Sequence, residues 1–103
     1  MSLERKQPAA CRTMAEVRQG VDRLDEQIVA LLAERFRYME AAARIKPERA
    51  AVRNEARKAD VLAKVRLSSE SEGAPVERIA ALYDALVESS IAYEFDRFDE
   101  ARG

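Results

Sequence analysis

Four polar residues interrupt stretches of the sequence that are otherwise apolar at helical spacing, and they are the best candidates for chemistry. Arg35 occupies a position where a leucine would complete an apolar stripe. A guanidinium keeps its charge in proteins and an unpaired buried charge is very costly, so Arg35 needs an anion. Lys46 follows eleven residues later, nearly on the same helical face. Ser90 and Glu94 lie one helical turn apart and form a second polar pair.

The spacing of the two cations suits a small ligand with two negative charges. Arg35 and Lys46 lie about 16 Å apart along a helix axis, and both side chains reach several ångströms inward. Structural alternatives exist for each residue. Arg35 could pair with a glutamate of a neighbouring helix. Lys46 could instead stabilise its own helix through the interaction of its positive charge with the helix dipole at the carboxyl-terminal end. Ser90 could bond back to its helix, and Glu94 could be the counter-ion of Arg35 or of another cation.

One long helix has to position both cations. Thr13 and Glu16 have the T-x-x-E spacing of a capping box, and no proline follows until Pro47. The pattern predicts a first helix over 14–46, roughly 50 Å long, which is too long for a lone compact domain of this size. A partner chain is therefore expected. Apolar residues at alternating steps of four and three, typical of packed helices, are Val17, Val21, Leu24, Ile28, Leu31, Tyr38, Ala42 and Ile45.

Two further helices complete the predicted fold, which is all-α with a long helix 1 and shorter helices 2 and 3. A short connection over 47–51 precedes a second helix over about 52–69. Residues 68–74 read as a loop, and Pro75 is placed to begin a third helix over roughly 75–98. Alternation of polar and apolar residues never lasts four residues, so no strand is predicted.

Composition excludes several classes of function. The 103 residues predict one helical domain, 13–101, after a disordered or extended tail over 1–12. Eighteen basic residues balance nineteen acidic ones, so nucleic acid is not an expected partner. Histidine is absent and Cys11 is the only cysteine, so we expect no metal and no cofactor. No apolar run has membrane-spanning length and no signal peptide is recognisable, so no membrane partner and a cytoplasmic location are expected.

The same residues limit the kind of reaction. Arg57 opens the second helix close to the Pro47 turn and adds a cation to the cluster. An enclosed cationic cluster suits a small polycarboxylate. The sequence lacks nucleophile–base pairs, glycine-rich phosphate loops and metal-ligand spacings. A unimolecular rearrangement that depends on electrostatics and shape fits this set of residues.

Three segments resemble the AroQ class of chorismate mutases. VRQGVDRLDEQIVALLAERFRYMEAAARIK is similar to the family's first helix, which has an arginine, an I/V-D-x-[IL]-D stretch, LLxxR and a lysine eleven residues after that arginine. VRNEARKADVL resembles the second-helix segment and LVESSIAYE the third, so the match covers about residues 14–98. YMEAAARIK also resembles the isochorismate–pyruvate lyase branch, which shares the fold and most of the site.

The resemblance implies an intertwined homodimer with two shared active sites for chorismate or isochorismate. Arg18 lies about 25 Å before Arg35 on the same helix, so the partner chain is expected to supply Arg18. The family's roles, carried over by position, make Lys46, Glu94 and Arg35 the catalytic candidates. The positions implied for substrate binding are Arg18, Arg35, Arg57, Asn54 and Ser90.

Two positions depart from the pattern of many relatives. Glu94 stands where many have Gln, although some fungal members also have Glu there. A carboxylate only accepts hydrogen bonds, so Glu94 helps the substrate's ether oxygen only when protonated. Activity should therefore fall as rising pH deprotonates Glu94. Lys58 stands where many relatives have a Glu that contacts the substrate hydroxyl, which leaves Asn54 as the candidate for that contact.

The principal functional prediction is chorismate mutase, the Claisen rearrangement of chorismate to prephenate. The first alternative is isochorismate–pyruvate lyase, which forms salicylate in the same kind of cationic pocket through a related pericyclic step. The second alternative is a non-catalytic helical dimer or regulatory partner. The complete set of Arg18, Arg35, Lys46 and Arg57 argues against this last reading.

Overall fold

The computed structural model describes residues 6–103, and its regular structure there is entirely helical. This confirms the predicted all-α fold class with three α-helices. None of the described helices is both long and apolar enough to cross a membrane. The helices are α1 (Met14–Ile45), α2 (Glu55–Ser71) and α3 (Val76–Arg102), with short 3-10 helices at Pro8–Ala10 and Arg49–Ala51.

The chain divides into two compact units, of which the first ends at Arg35. The predicted capping box begins its helix: Thr13 Oγ1 accepts from the Glu16 backbone N–H at 3.2 Å, and Glu16 Oε1 accepts from the Thr13 N–H at 3.2 Å. The large apolar side chains of the predicted stripe are between 38% and 65% exposed in this unit. They are Val17, Val21, Leu24, Ile28 and Leu31.

The second unit, Phe36–Gly103, contains the last turns of α1 together with α2 and α3. α2 packs along α3. A small core joins the end of α1, the following turn and the end of α3. Burial of this core fixes where the last turn of α1 lies relative to α3. Its buried members are Ala43, Val52 and Phe98, and Ile91 and Phe95 pack against them.

The predicted bounds of the second helix are wrong at its start. α2 begins at Glu55 rather than near residue 52, because Asn54 caps it: the Asn54 side chain accepts from the Arg57 backbone N–H. Val52 lies before the helix and is only 3% exposed, so core burial rather than helix periodicity explains its apolar side chain.

Two other bounds also differ from the prediction. α3 continues to Arg102 rather than ending near residue 98, and Pro75 is its N-cap rather than its first helical residue. The predicted tail over 1–12 contains the 3-10 helix at Pro8–Ala10, while its first five residues lie outside the described part. The added turn of α3 forms contacts with the end of α1 that are described below.

Candidate active site

Lys46 lies directly after the last residue of α1, and its side chain reaches α3. Its backbone N–H donates to Ala42 O at 2.9 Å, so Lys46 still belongs to the last helical turn. Its Nζ lies 2.6 Å from Glu94 Oε2 and donates to Val52 O at 3.3 Å. The Lys46 side chain is 29% exposed, whereas that of Glu94 is 4% exposed. The ammonium group thus lies between solvent and a buried carboxylate.

Among the described residues, Glu94 is the only charged residue that is buried. Its counter-ion is Lys46, so of the two partners considered from the sequence, Arg35 or another cation, the structure shows the second. Among residues 6–103, no group donates a hydrogen bond of good geometry to Glu94 Oε2, so the contact is an ion pair. A buried carboxylate with hydrogen-bonding capacity left over is an unusual feature of a protein interior. Glu94 Oε2 can therefore accept a hydrogen bond from a donor of a ligand.

Ser90 lies one turn before Glu94 on the same buried face of α3, and is 2% exposed. Its Oγ donates to Leu86 O at 2.7 Å, which is the back-bonded arrangement typical of helix serines. The hydroxyl oxygen of such a serine can still accept a hydrogen bond. Contact of Ser90 with a substrate carboxylate therefore stays a prediction.

Asn54 is the N-cap of α2, and Arg57 lies in the first turn of that helix. Asn54 Oδ1 accepts from the Arg57 backbone N–H at 3.0 Å, so its carbonyl oxygen serves as the helix cap. The Arg57 guanidinium donates to Asp60 Oδ2 at 2.7 Å and is 63% exposed. An exposed ion pair of this kind contributes little stability, so its arginine can change partners at small cost.

Arg18 and Arg35 belong to the first unit. Arg18 is exposed and Arg35 is half-buried, both on α1. Their roles as carboxylate-binding residues stay predictions.

Lys58 has a structural role at the α2–α3 contact. Its Nζ donates to Glu88 Oε2 at 2.6 Å and lies 3.3 Å from Asp84 Oδ1. Arg53 Nη2 bonds the other oxygen of Glu88 at 2.7 Å. These partners, Arg53 first and then Lys58, lower the pKa of Glu88 to about 2, and the bond to Glu88 raises the pKa of Lys58. Lys58 therefore anchors α2 to α3 through acidic side chains of α3.

The sequence reading missed a contact next to Glu94. The Tyr93 hydroxyl donates a hydrogen bond to the Glu40 carboxylate, and its ring meets Phe36 edge to face with centroids 5.0 Å apart. The bond to Glu40 raises the pKa of Tyr93. This contact ties α1 to α3 one residue before Glu94. In the sequence, the only indication of this contact is that Tyr93 directly precedes Glu94.

Comparison with known proteins shows the family to which the chain belongs. The sequence pattern of the chorismate mutase type II family matches residues 17–95. The isochorismate pyruvate lyase of Pseudomonas aeruginosa is 30% identical over 98 residues, which cover 95% of this chain and 97% of that protein. The matched span includes the cations Arg18, Arg35, Lys46 and Arg57 as well as Glu94. The chain therefore belongs to the chorismate mutase type II family.

Proposed function

We propose that this protein is a chorismate mutase, which converts chorismate to prephenate by holding the dianion in a reactive shape. The observation that carries the proposal is the placement of Lys46 Nζ, 2.6 Å from the buried carboxyl group of Glu94. It puts a partly exposed cation beside a buried carboxyl group that has hydrogen-bonding capacity left over. Both residues lie within residues 17–95, the span that matches the family.

Substrate binding in this proposal needs two copies of the chain. Arg35, Arg57 and Ser90 of one copy and Arg18 of the other bind the two carboxylates. The exposed apolar stripe of α1, Val17 to Leu31, supports dimerisation because an apolar helix face is normally buried. Asn54 is proposed to bind the substrate hydroxyl, since Lys58 is engaged by Glu88 and Asp84.

The reaction breaks the ether C–O bond of chorismate and forms a C–C bond within the same molecule. Negative charge grows on the ether oxygen as the C–O bond stretches, and Lys46 donates to that oxygen. Protonated Glu94 supplies a second donor, whereas ionised Glu94 would compete with the ether oxygen for Lys46. Donors aimed at developing charge are typically worth a few kcal/mol each. The arginines contribute by restricting the substrate to a chair-like conformation.

A second candidate function is isochorismate–pyruvate lyase. It is favoured by the relative from Pseudomonas aeruginosa, whose similarity extends over nearly the whole of both chains. Elimination of pyruvate from isochorismate also breaks an ether C–O bond, so Lys46 and Glu94 would have the same roles. The two candidates differ in the substrate used and the product released.

The experiment that tests the proposal supplies chorismate and isochorismate separately, follows their loss by ultraviolet absorbance and identifies the products. Prephenate from chorismate supports the mutase, whereas salicylate and pyruvate from isochorismate favour the lyase. Lys46→Met should abolish turnover. Lys64→Met is the matched control, because Lys64 is exposed and pairs with Asp60 on its own helix. Absence of turnover with both substrates would overturn both candidates and favour a non-catalytic helical dimer.

A further inference from the structure

The last turn of α1 has backbone carbonyls that its own helix cannot satisfy. The Ala43 carbonyl would accept from the N–H of the residue four positions later, which is Pro47 and has no N–H. The Lys46 carbonyl lies at the helix end, where intrahelical donors are also lacking. Ala43 is 2% exposed, so water has little access to this residue. A buried carbonyl of this kind requires a donor from elsewhere in the fold.

Arg102, in the last turn of α3, supplies donors to both carbonyls. Its Nη1 donates to Ala43 O at 3.0 Å and its Nη2 donates to Lys46 O at 2.8 Å. The guanidinium carbon lies 3.7 Å from the centroid of the Phe98 ring, so the side chain is also held by a cation–π contact. A positive charge at a helix carboxyl terminus is electrostatically favourable as well.

A second arginine holds the following turn to the same helix. Arg49 Nε and Nη2 bond the two carboxylate oxygens of Asp99 at 2.9 and 3.3 Å. Its guanidinium carbon lies 4.5 Å from the centroid of the Phe95 ring. The backbone on both sides of Pro47 is therefore attached to the last two turns of α3. Glu94 lies on that same helix, so these contacts set the distance between the Lys46 backbone and the Glu94 side chain.

We propose that Arg102 is a positioning residue for Lys46. The guanidinium holds the Lys46 carbonyl and the carbonyl three residues earlier, so it determines the direction from which the Lys46 side chain approaches Glu94. Arg102 does not touch the reacting atoms in this proposal; it acts through Lys46. The kinetic part of the inference rests on the proposed function, because it assumes that Lys46 stabilises the transition state.

The kinetic test compares Arg102→Ala, Arg102→Lys and Arg97→Ala. Arg97 is the matched control, an exposed arginine of α3 that pairs with Glu100 on its own helix at 3.0 Å. Arg102→Ala should lower kcat about tenfold or more and leave KM within about twofold, because small displacements of a catalytic group mainly affect the transition state. Arg102→Lys should recover part of kcat, since an ammonium group can donate to one carbonyl but lacks the planar fork. Arg97→Ala should match the wild type.

A second measurement does not depend on turnover. Arg102→Ala should speed amide hydrogen exchange at Lys46, whose N–H donates to Ala42 O, and Arg97→Ala should not. Faster exchange together with lower kcat supports the inference. A lower melting temperature with unchanged kcat, or a change in KM alone, would overturn the inference. Either result would mean that Arg102 supports the fold without positioning Lys46 for catalysis. If the wild type converts neither substrate, the proposed function fails. Independently of turnover, unchanged amide exchange at Lys46 in Arg102→Ala would refute the positioning role.

Discussion

Lys46 and Glu94 meet at 2.6 Å between the end of α1 and the buried face of α3. The Lys46 ammonium is the donor that the proposed reaction requires, and the Glu94 carboxylate is an acceptor that competes with the substrate's ether oxygen for it. Proton uptake by Glu94 removes this competition and turns the residue into a donor. In the proposed reaction, the Glu94 side chain therefore decides whether the Lys46 ammonium is available to the ether oxygen.

We expect kcat/KM to fall as rising pH deprotonates Glu94, because a carboxylate does not donate to the ether oxygen. Glu94→Gln should flatten this profile, since an amide donates at every pH. The measurement is the pH dependence of chorismate turnover for both proteins. Glu100→Gln, which alters an exposed carboxylate of α3, should retain the wild-type profile. A flat profile for the wild type would rule out the proposed role of Glu94.

Mixing two inactive variants tests whether the sites are shared between chains. Arg18→Ala and Arg35→Ala should each lower kcat/KM by about a hundredfold or more, because each removes a charged hydrogen-bond donor to a carboxylate. If each site takes Arg18 from one chain and Arg35 from the other, a mixed dimer has one intact site. Refolding an equal mixture should then restore about a quarter of wild-type activity.

The control for this mixture is a chain that carries both substitutions, mixed with either single variant. No intact site can form in those dimers, so activity should stay at the level of the single variants. If the mixture of single variants forms dimers but regains no activity, Arg18 and Arg35 do not come from different chains.

Glu88 gives the fold a specific sensitivity to acid. Arg53 and Lys58 lower its pKa in the folded chain to about 2, from a usual value of 4.5. A carboxyl group whose pKa is lowered on folding contributes stability above its unfolded pKa and loses it as the pH falls toward the folded value. The midpoint of urea unfolding should therefore decline between about pH 4.5 and pH 2, and less steeply in Glu88→Gln. Added salt should weaken the effect because the group is solvent-exposed.

Glu70→Gln is the matched control for this measurement, since Glu70 is an exposed carboxylate near the end of α2. Its acid profile should follow that of the wild type. An identical acid profile for Glu88→Gln and the wild type would mean that the cluster around Glu88 contributes no measurable stability.

Pro47 and Arg102 should be energetically coupled. Arg102→Ala leaves the buried Ala43 carbonyl without its donor, which typically costs about 1–3 kcal/mol in the free energy of unfolding. Pro47→Ala restores an N–H at the position that can donate to this carbonyl, so Arg102→Ala should cost less in that background. Urea unfolding of the wild type, the two single variants and the double variant measures the coupling. Strictly additive costs would argue against a shared carbonyl, and Arg97→Ala should show no coupling to Pro47→Ala.

Sequence patterns predict the bounds of a helix correctly where the interactions that decide those bounds are local. The capping box of Thr13 and Glu16 and the stop at Pro47 placed α1 correctly, because these effects act within four residues. The start of α2 was misplaced because Val52 is apolar at helical spacing yet is buried before the helix begins. The end of α3 was placed too early, because its last turn is held by Arg49 and by the end of α1 rather than by its own sequence.

By itself, the sequence determined the all-α class, the family and the identity of the charged residues that interrupt the apolar stripes. Only the tertiary structure decided which of those charges meet: Lys46 with Glu94, Lys58 with Glu88, and Arg102 with the carbonyls at the end of α1. The physical reason is that helix formation is governed by neighbours within a turn, whereas ion pairing depends on how distant helices pack. With eighteen basic and nineteen acidic residues, the sequence is compatible with many different ion pairs. Burial of the core around Ala43 and Phe98 fixes how the helices pack and thereby selects among these pairs.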